Sequence, residues 1–290
     1  MSKPSMPKAV SFVIALIAVF LYFVIDGIKS NPGTSSSSPS NTVTPSAPTT
    51  FTSSGKYMLN FSDSFNAALA SQDDLGLSIV IAIDCSGSME ETPSGGSSTR
   101  SKYLIANDSL KEIISFIHKF YNENVKNENL RLRLSVIKFS GSVKVLFPLS
   151  DITDESFARL NEIVGKTSNF LPDGKTALGE TLETGTELLV QSETIFKSLI
   201  VITDGANTTG VEPETVLDAI VNSDNNKNNS DFPVLTNSVL VSFIGFDVNM
   251  NSFSRLNRLG ARITSAADKE ELNENLKALF LADITKLEAN

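Results

Sequence analysis

Ile79-Val80-Ile81-Ala82-Ile83-Asp84-Cys85-Ser86-Gly87-Ser88-Met89 decides how the rest of the chain is read. Five consecutive apolar residues, three of them isoleucine, predict a strand buried on both faces. Asp84 stands where that strand leaves the sheet. Ser86 and Ser88 follow in a tight, glycine-containing loop that can turn both hydroxyls the same way as the carboxylate. One carboxylate and two hydroxyls form a hard-oxygen set, suited to Mg²⁺, Mn²⁺ or Ca²⁺ rather than zinc. The competing reading is a polar turn after a strand, so the rest of the chain must supply matching oxygens.

Composition narrows the choices. At 290 residues, with 41% hydrophobic and 20% charged residues, the chain suits one globular domain carrying some added apolar sequence. Net charge is −9. Without the first 30 residues it is 21 basic against 32 acidic, which argues against nucleic acid and against an anionic membrane surface as partners. A single cysteine, Cys85, rules out an internal disulfide.

The amino-terminal 1–29 reads as a short cytoplasmic end and a signal-anchor. Ala9–Ile25 is free of charge and follows Lys3 and Lys8. As a helix its seventeen residues measure ~26 Å, near the lower limit for crossing a bilayer. The two preceding lysines favour an amino terminus in the cytoplasm and a remainder outside it. A cleaved signal peptide is the competitor, but Tyr22-Phe23-Val24-Ile25-Asp26-Gly27 offers a poor cleavage site. Residues 30–55 are almost entirely Ser, Thr, Pro, Gly and Asn, the composition of a mobile tether. A lead-in segment, 56–74, precedes the folded domain, 75–290. Four glycosylation sequons, at Asn60, Asn107, Asn207 and Asn228, are what chance gives in so Asn- and Ser-rich a chain.

Within the folded domain, apolar strands alternate with helical patterns. The reading is strand Leu77–Ile83, helix Lys102–Asn122, hairpin Leu132–Phe139 and Val143–Phe147, helix Asp154–Val164, loop Lys166–Lys175 and helix Ala177–Val190. Strand Ser198–Thr203 and helix Pro213–Val221 follow, then an Asn/Asp-rich insertion at Ser223–Asp231. Strand Val239–Phe246, a short helix Ser252–Leu259, a weak edge strand Ala261–Thr264 and a closing helix Asp268–Leu287 complete the chain. This order predicts an α/β fold: a doubly wound, mostly parallel six-stranded sheet with one antiparallel edge strand and helices on both faces. Such sheets bind ligands beyond the carboxyl ends of the strands, where strand order reverses. That reversal commonly separates the first strand from the fourth, so Asp84 and Asp204 should meet.

The chain here resembles the von Willebrand factor type A domain and its metal-ion-dependent adhesion site. Asp84-Cys85-Ser86-Gly87-Ser88 follows the first strand. Thr176 lies in Asp173-Gly174-Lys175-Thr176-Ala177-Leu178 before a helix, and Asp204 ends the fourth strand in Ile202-Thr203-Asp204-Gly205. The resemblance implies a divalent cation, Mg²⁺ first and Mn²⁺ or Ca²⁺ as alternatives. Ser86 and Ser88 would bind it directly, Thr176 directly or through water, and Asp84 and Asp204 mostly through waters. Neutral hydroxyls would leave the ion under-compensated, so that its open position attracts a carboxylate from a protein ligand. Binding rather than catalysis is implied. The threonine loop reads Asp-Gly-Lys-Thr where the family often has Gly-Gly-Thr; Asp173 is either a hydrogen-bond acceptor behind the site or a plain turn residue. Glu90 and Glu91 after the serine loop would repel an acidic partner, occupy the metal in cis, or simply be solvated.

Other site types fail on spacing. Gly174-Lys175-Thr176 ends like a phosphate-binding loop but has Asn169 where its first glycine belongs, so no nucleotide site is expected. An EF-hand begun at Asp84 would place Met89 and Gly95 where Gly and Glu are required. The only histidine, His118, falls ~24 Å along its helix from Lys102, a poor position for a catalyst. Charge repulsion from the acidic site should raise the pKa of Cys85 and make it a poor nucleophile. Two functions fit: a membrane-tethered recognition or adhesion module outside the cytoplasm, or an envelope assembly factor that binds another membrane protein or an ATPase-linked complex.

Overall fold

The computed structural model describes residues 57, 59, 61, 74–94, 98–126, 130–221 and 239–288, all within one compact unit, Tyr57–Asn290. The apolar segment Ala9–Ile25, the tether 30–55, most of the lead-in and the Ser223–Asp231 insertion lie outside the described residues. Among the described residues no helix is long and apolar enough to cross a membrane.

Six strands form one sheet: β1 (Asp74–Asp84), β2 (Arg131–Phe139), β3 (Val143–Asp151), β4 (Thr194–Thr203), β5 (Val239–Phe246) and β6 (Arg262–Ala266). Their order is β3-β2-β1-β4-β5-β6. All neighbours are parallel except β2 and β3, the antiparallel edge predicted from the hairpin. Sequence order runs outward in one direction from β1 and in the other from β4. The β1/β4 seam is therefore the reversal point that opens a crevice above the strand ends.

Helices α1 (Lys102–Phe120), α2 (Asp154–Gly165), α3 (Leu178–Val190), α4 (Pro213–Val221), α5 (Ser254–Arg258) and α6 (Lys269–Glu288) cover the sheet. From Leu77 onward β1 is buried throughout, which is what a continuous apolar run requires. Val80 and Ala82 pack with α3, α4 and α5. Strand alternation sends Ile79, Ile81 and Ile83 to the other face, where α1 and α6 pack on each other.

The strands extend further than apolar runs alone suggest. β3 continues through Pro148 to Asp151, which an edge strand tolerates because one row of its backbone amides has no ladder partner. β4 begins at Thr194, where its hydroxyl donates to Ser78 and so turns a polar start into a paired one. The expected helix over Ser252–Leu259 is a 3₁₀ turn, Met250–Phe253, followed by the short α5. Helix α1 runs on through a π-helical segment, Tyr121–Val125. The lead-in carries structure of its own: Tyr57, Leu59 and Phe61 pack against the α3/α4 core, and Tyr57 donates to Glu183 Oε1 at 2.5 Å.

Close packing fixes the start of α3 against the loop after β4. A Cβ on Gly179 would come within 2.1 Å of the Val211 carbonyl oxygen. Gly179→Ala should therefore destabilise the fold by about 1–3 kcal/mol, an overpacking cost. Gly165→Ala, at a position with nothing within 4 Å, should leave the thermal midpoint nearly unchanged when both variants are compared with wild type by scanning calorimetry.

Candidate metal centre

The end of β1 delivers Asp84 into the seam with no exposed surface. The β1/β4 register pairs Ile83 with Ile202, so Asp84 is level with Thr203. Thr203 Oγ1 donates to Asp84 Oδ2 at 2.6 Å, and the Ser86 amide donates to Asp84 Oδ1 at 2.7 Å. Both oxygens of Asp84 are thus held by neighbours on the adjoining strand and the following loop. Burial pushes its carboxyl up to about 6, although the hydrogen bonds from Thr203 and Ser86 act to lower it.

Beyond Asp84 the chain turns through a 3₁₀ segment, Gly87–Glu90, seated by the buried Met89. The Ser86 and Ser88 hydroxyls lie 3.2 Å apart. Ser88 Oγ donates to Asp204 Oδ1 at 2.7 Å, which closes the string from the first strand to the fourth. Asp84, Ser86, Ser88 and Asp204 are therefore joined by hydrogen bonds, as the strand order requires.

Thr176 joins them through main chain on both sides. The loop before it is tied to the serine loop by Asp173 N to Cys85 O at 2.7 Å and Gly87 N to Gly174 O at 3.1 Å. Gly174 makes this turn at φ 68°, the left-handed region that glycine enters freely. On the other side, the Thr176 amide donates to Thr208 Oγ1 at 2.8 Å, and the Thr208 amide returns to the Thr176 carbonyl at 2.9 Å. Asn207 Oδ1 accepts the Leu178 amide at 2.9 Å, capping α3 from outside the helix. Asp173 is exposed and contributes its amide to this turn.

The electrostatics include a residue that apolar periodicity hides. Lys102, the first residue of α1, buries its side chain and places Nζ 3.0 Å from Asp204 Oδ2 and 3.4 Å from Asp247 Oδ2. Burial pulls its pKa down, but the Asp204 and Asp247 carboxylates outweigh this and hold it above the ordinary lysine value. Asp247, just past β5, adopts φ 56°. It accepts from the Ser94 amide at 2.8 Å and the Ser94 hydroxyl at 2.5 Å. Burial acts to raise its pKa, but Ser94 and Lys102 together hold it below the usual carboxylate range. Glu91 is exposed, 3.9 Å from Lys102 Nζ.

Among the described residues no three His, Cys, Asp or Glu side chains form a metal-binding cluster. A cation here would need the serine and threonine hydroxyls as well. The donor set fits a hard divalent ion: it is all oxygen, its carboxylates are buried, and one of them already draws a positive charge, the Lys102 ammonium. Asp84, Ser86, Ser88, Thr176 and Asp204 would hold it.

Thr203, Asn207, Thr208, Lys102 and Asp247 were not singled out by sequence. A lysine at a helix amino terminus opposes the helix dipole, and that was the available signal for Lys102. His118 stacks on Phe157 with ring centroids 3.8 Å apart and lies 3.0 Å from Asp154 Oδ1, far along α1 from Lys102. Cys85 is buried and its thiol is pushed up to about 12. The expected direction holds, but the cause is burial rather than the charge of Asp84, which the charge of Lys138 outweighs.

The von Willebrand factor type A domain model matches residues 78–279. No curated protein matches the chain significantly. Among solved structures, the chain is similar to a von Willebrand factor type A protein from Catenulispora acidiphila, at 20% identity and TM-score 0.52, covering 72% of this chain and 42% of that one. It is also similar to the PilB minor pilin from Streptococcus sanguinis, at 16% identity and TM-score 0.53, covering 76% and 62% respectively. The pilus adhesin SpaC from Lactobacillus rhamnosus GG matches at 13% identity and TM-score 0.53, covering 74% of this chain and 32% of that one. The chain spans less than two thirds of the length of each of these three, and at such identities the likeness is one of fold.

The raised pKa of Asp84 has a signed consequence for stability. Between its ordinary value near 3.8 and about 6, the folded metal-free protein holds a proton that the unfolded chain has released. Stability from this group is therefore full at the low end and lost as pH rises through 6. Asp84→Asn removes that dependence while keeping an oxygen for the Ser86 amide. Relative to wild type, the metal-free variant should gain on the order of 1–3 kcal/mol between pH 4 and 7, measured by urea unfolding.

Proposed function

The chain belongs to the von Willebrand factor type A domain family, and from that premise we propose that it is a recognition module that grips a carboxylate of a protein ligand through a divalent cation. The observation that supports this most is the string of oxygens across the β1/β4 seam, in which Ser88 spans from the serine loop to Asp204. Ser86 is buried, whereas Ser88 is exposed, so the string opens to solvent at Ser88. An ion bound there would supply Lewis acidity toward an incoming carboxylate oxygen. The residues of this chain hold and orient. Asp84, fixed by Thr203 and Ser86, would supply charge from behind, while the serine and Thr176 hydroxyls would face the ion.

Mg²⁺ suits a shell that mixes hydroxyls, carboxylates and water. The fold is shared with a minor pilin and a pilus adhesin, which favours adhesion or recognition as the task. The apolar segment at 9–25 would tether the module to a membrane with this face outside the cytoplasm.

Crosslinking on intact cells, followed by capture of the full chain in Mg²⁺ or in EDTA, tests the reading. One partner should be recovered in Mg²⁺ and lost both in EDTA and with Ser86→Ala, whose thermal midpoint should stay within a few degrees of wild type. A surface or matrix ligand would mark an adhesion module; a stoichiometric membrane complex would mark an assembly factor. Equal recovery in EDTA and with Ser86→Ala would overturn metal-dependent recognition.

A further inference from the structure

We propose that Lys102 is a cation built into this site, one that competes with the divalent ion for Asp204 and has Asp247 as its alternative seat. The Lys102–Asp247 pair would then set how tightly the ion is held. The inference rests on the reading that an ion binds among Ser86, Ser88 and Asp204.

Asp204 has two oxygens and both are engaged: Oδ1 accepts the Ser88 hydroxyl at 2.7 Å and Oδ2 accepts the Lys102 ammonium at 3.0 Å. The Lys102 side chain is 7% exposed and that of Asp204 is fully buried, so water screens this pair poorly. A dication approaching Asp204 meets a fixed positive charge on the same carboxylate. Affinity then depends on how far the ammonium can be drawn elsewhere.

Asp247 provides that place. Its Oδ2 is 3.4 Å from Lys102 Nζ, and its own position is fixed by two hydrogen bonds from Ser94. The backbone of Asp247, at φ 56°, lies in a region that Asp and Asn tolerate better than other side chains. Lys102 is also badly placed for any helix-stabilising role. It opens a 19-residue helix, where the dipole repels a cation, and its amide is already satisfied by the Glu91 carbonyl at 2.8 Å. Its charge is explained by what it faces.

The two partners predict opposite effects on one measurement. Lys102→Met removes the competing charge and should tighten Mn²⁺ binding to the full chain on the order of tenfold. Asp247→Asn keeps the backbone conformation and an acceptor for Ser94 but leaves Lys102 with Asp204 as its one buried carboxylate, the exposed Glu91 lying 3.9 Å away. It should weaken binding by a similar factor, while Lys102→Arg should stay near wild type. Free Mn²⁺ followed by electron paramagnetic resonance reads all four proteins, and the thermal midpoint without metal should fall for Lys102→Met because Asp204 loses its counter-charge. Unchanged or weaker binding by a folded Lys102→Met would overturn the proposal, as would equal shifts in one direction for the two variants. Should Lys102→Met not fold, unchanged or tighter binding by Asp247→Asn overturns it alone. Absence of Mn²⁺ binding in every protein would sink the metal reading itself, and this inference with it.

Discussion

A carboxylate with no exposed surface stands at the end of the central strand, and much of the carboxyl edge of the sheet is arranged to accommodate it. Asp84 is carried there by β1, whose apolar residues fill both faces of the fold. A buried carboxylate is tolerable only when its oxygens are paired. Thr203 on the neighbouring strand and the amide of Ser86 supply the pairs. Those two contacts also determine where the serine loop begins and how it lies against β4. The local turn and the strand register are thus linked at one side chain.

From that point the loops brace one another. The serine loop bonds the threonine loop through Gly87 and Gly174, the threonine loop bonds the segment after β4 through Thr176 and Thr208, and Ser88 reaches Asp204 directly. Gly179 allows α3 to approach Val211 closely enough for Asn207 to cap it. Loops that would otherwise move independently share backbone hydrogen bonds. Functional oxygens carried on loops are best preorganised in this way, by a rigid scaffold beneath and cross-links between.

The fold was legible because its signals are periodic. Continuous apolar runs mark the buried strands, helical spacing marks α1, and the element order alone places Asp84 beside the fourth strand. Of the candidate site, Asp84, Ser86, Ser88 and Asp204 were legible because they stand at or just past strand ends, whereas Thr176, before a helix, was legible only through the family resemblance. What escaped was whatever depends on partners distant in sequence. Thr203 looks like a strand residue until the register sets it level with Asp84. Asn207 and Thr208 appeared only as a chance sequon, yet they cap α3 and hold Thr176. Lys102 read as the polar start of an amphipathic helix, and the end of β3 and the beginning of β4 were masked by residues whose polar groups find partners only in the folded sheet.

The charges at the carboxyl edge do not follow from the needs of folding alone. A fold that merely had to bury this seam could use neutral residues, since replacing buried ion pairs with apolar groups is often neutral or stabilising. Here Asp84, Asp204 and Asp247 gather above the sheet, with Lys102 the buried cation set directly against two of them. Like charges so close raise one another's cost, and Asp204 acts on Asp84 in that sense. An excess of negative charge held on a braced frame, with its hydroxyls partly open to solvent, is an arrangement that folding opposes and a bound cation would relieve. That asymmetry adds to the string of oxygens in supporting the proposed binding site, and it ties Lys102 to the carboxylates it faces rather than to the helix it begins.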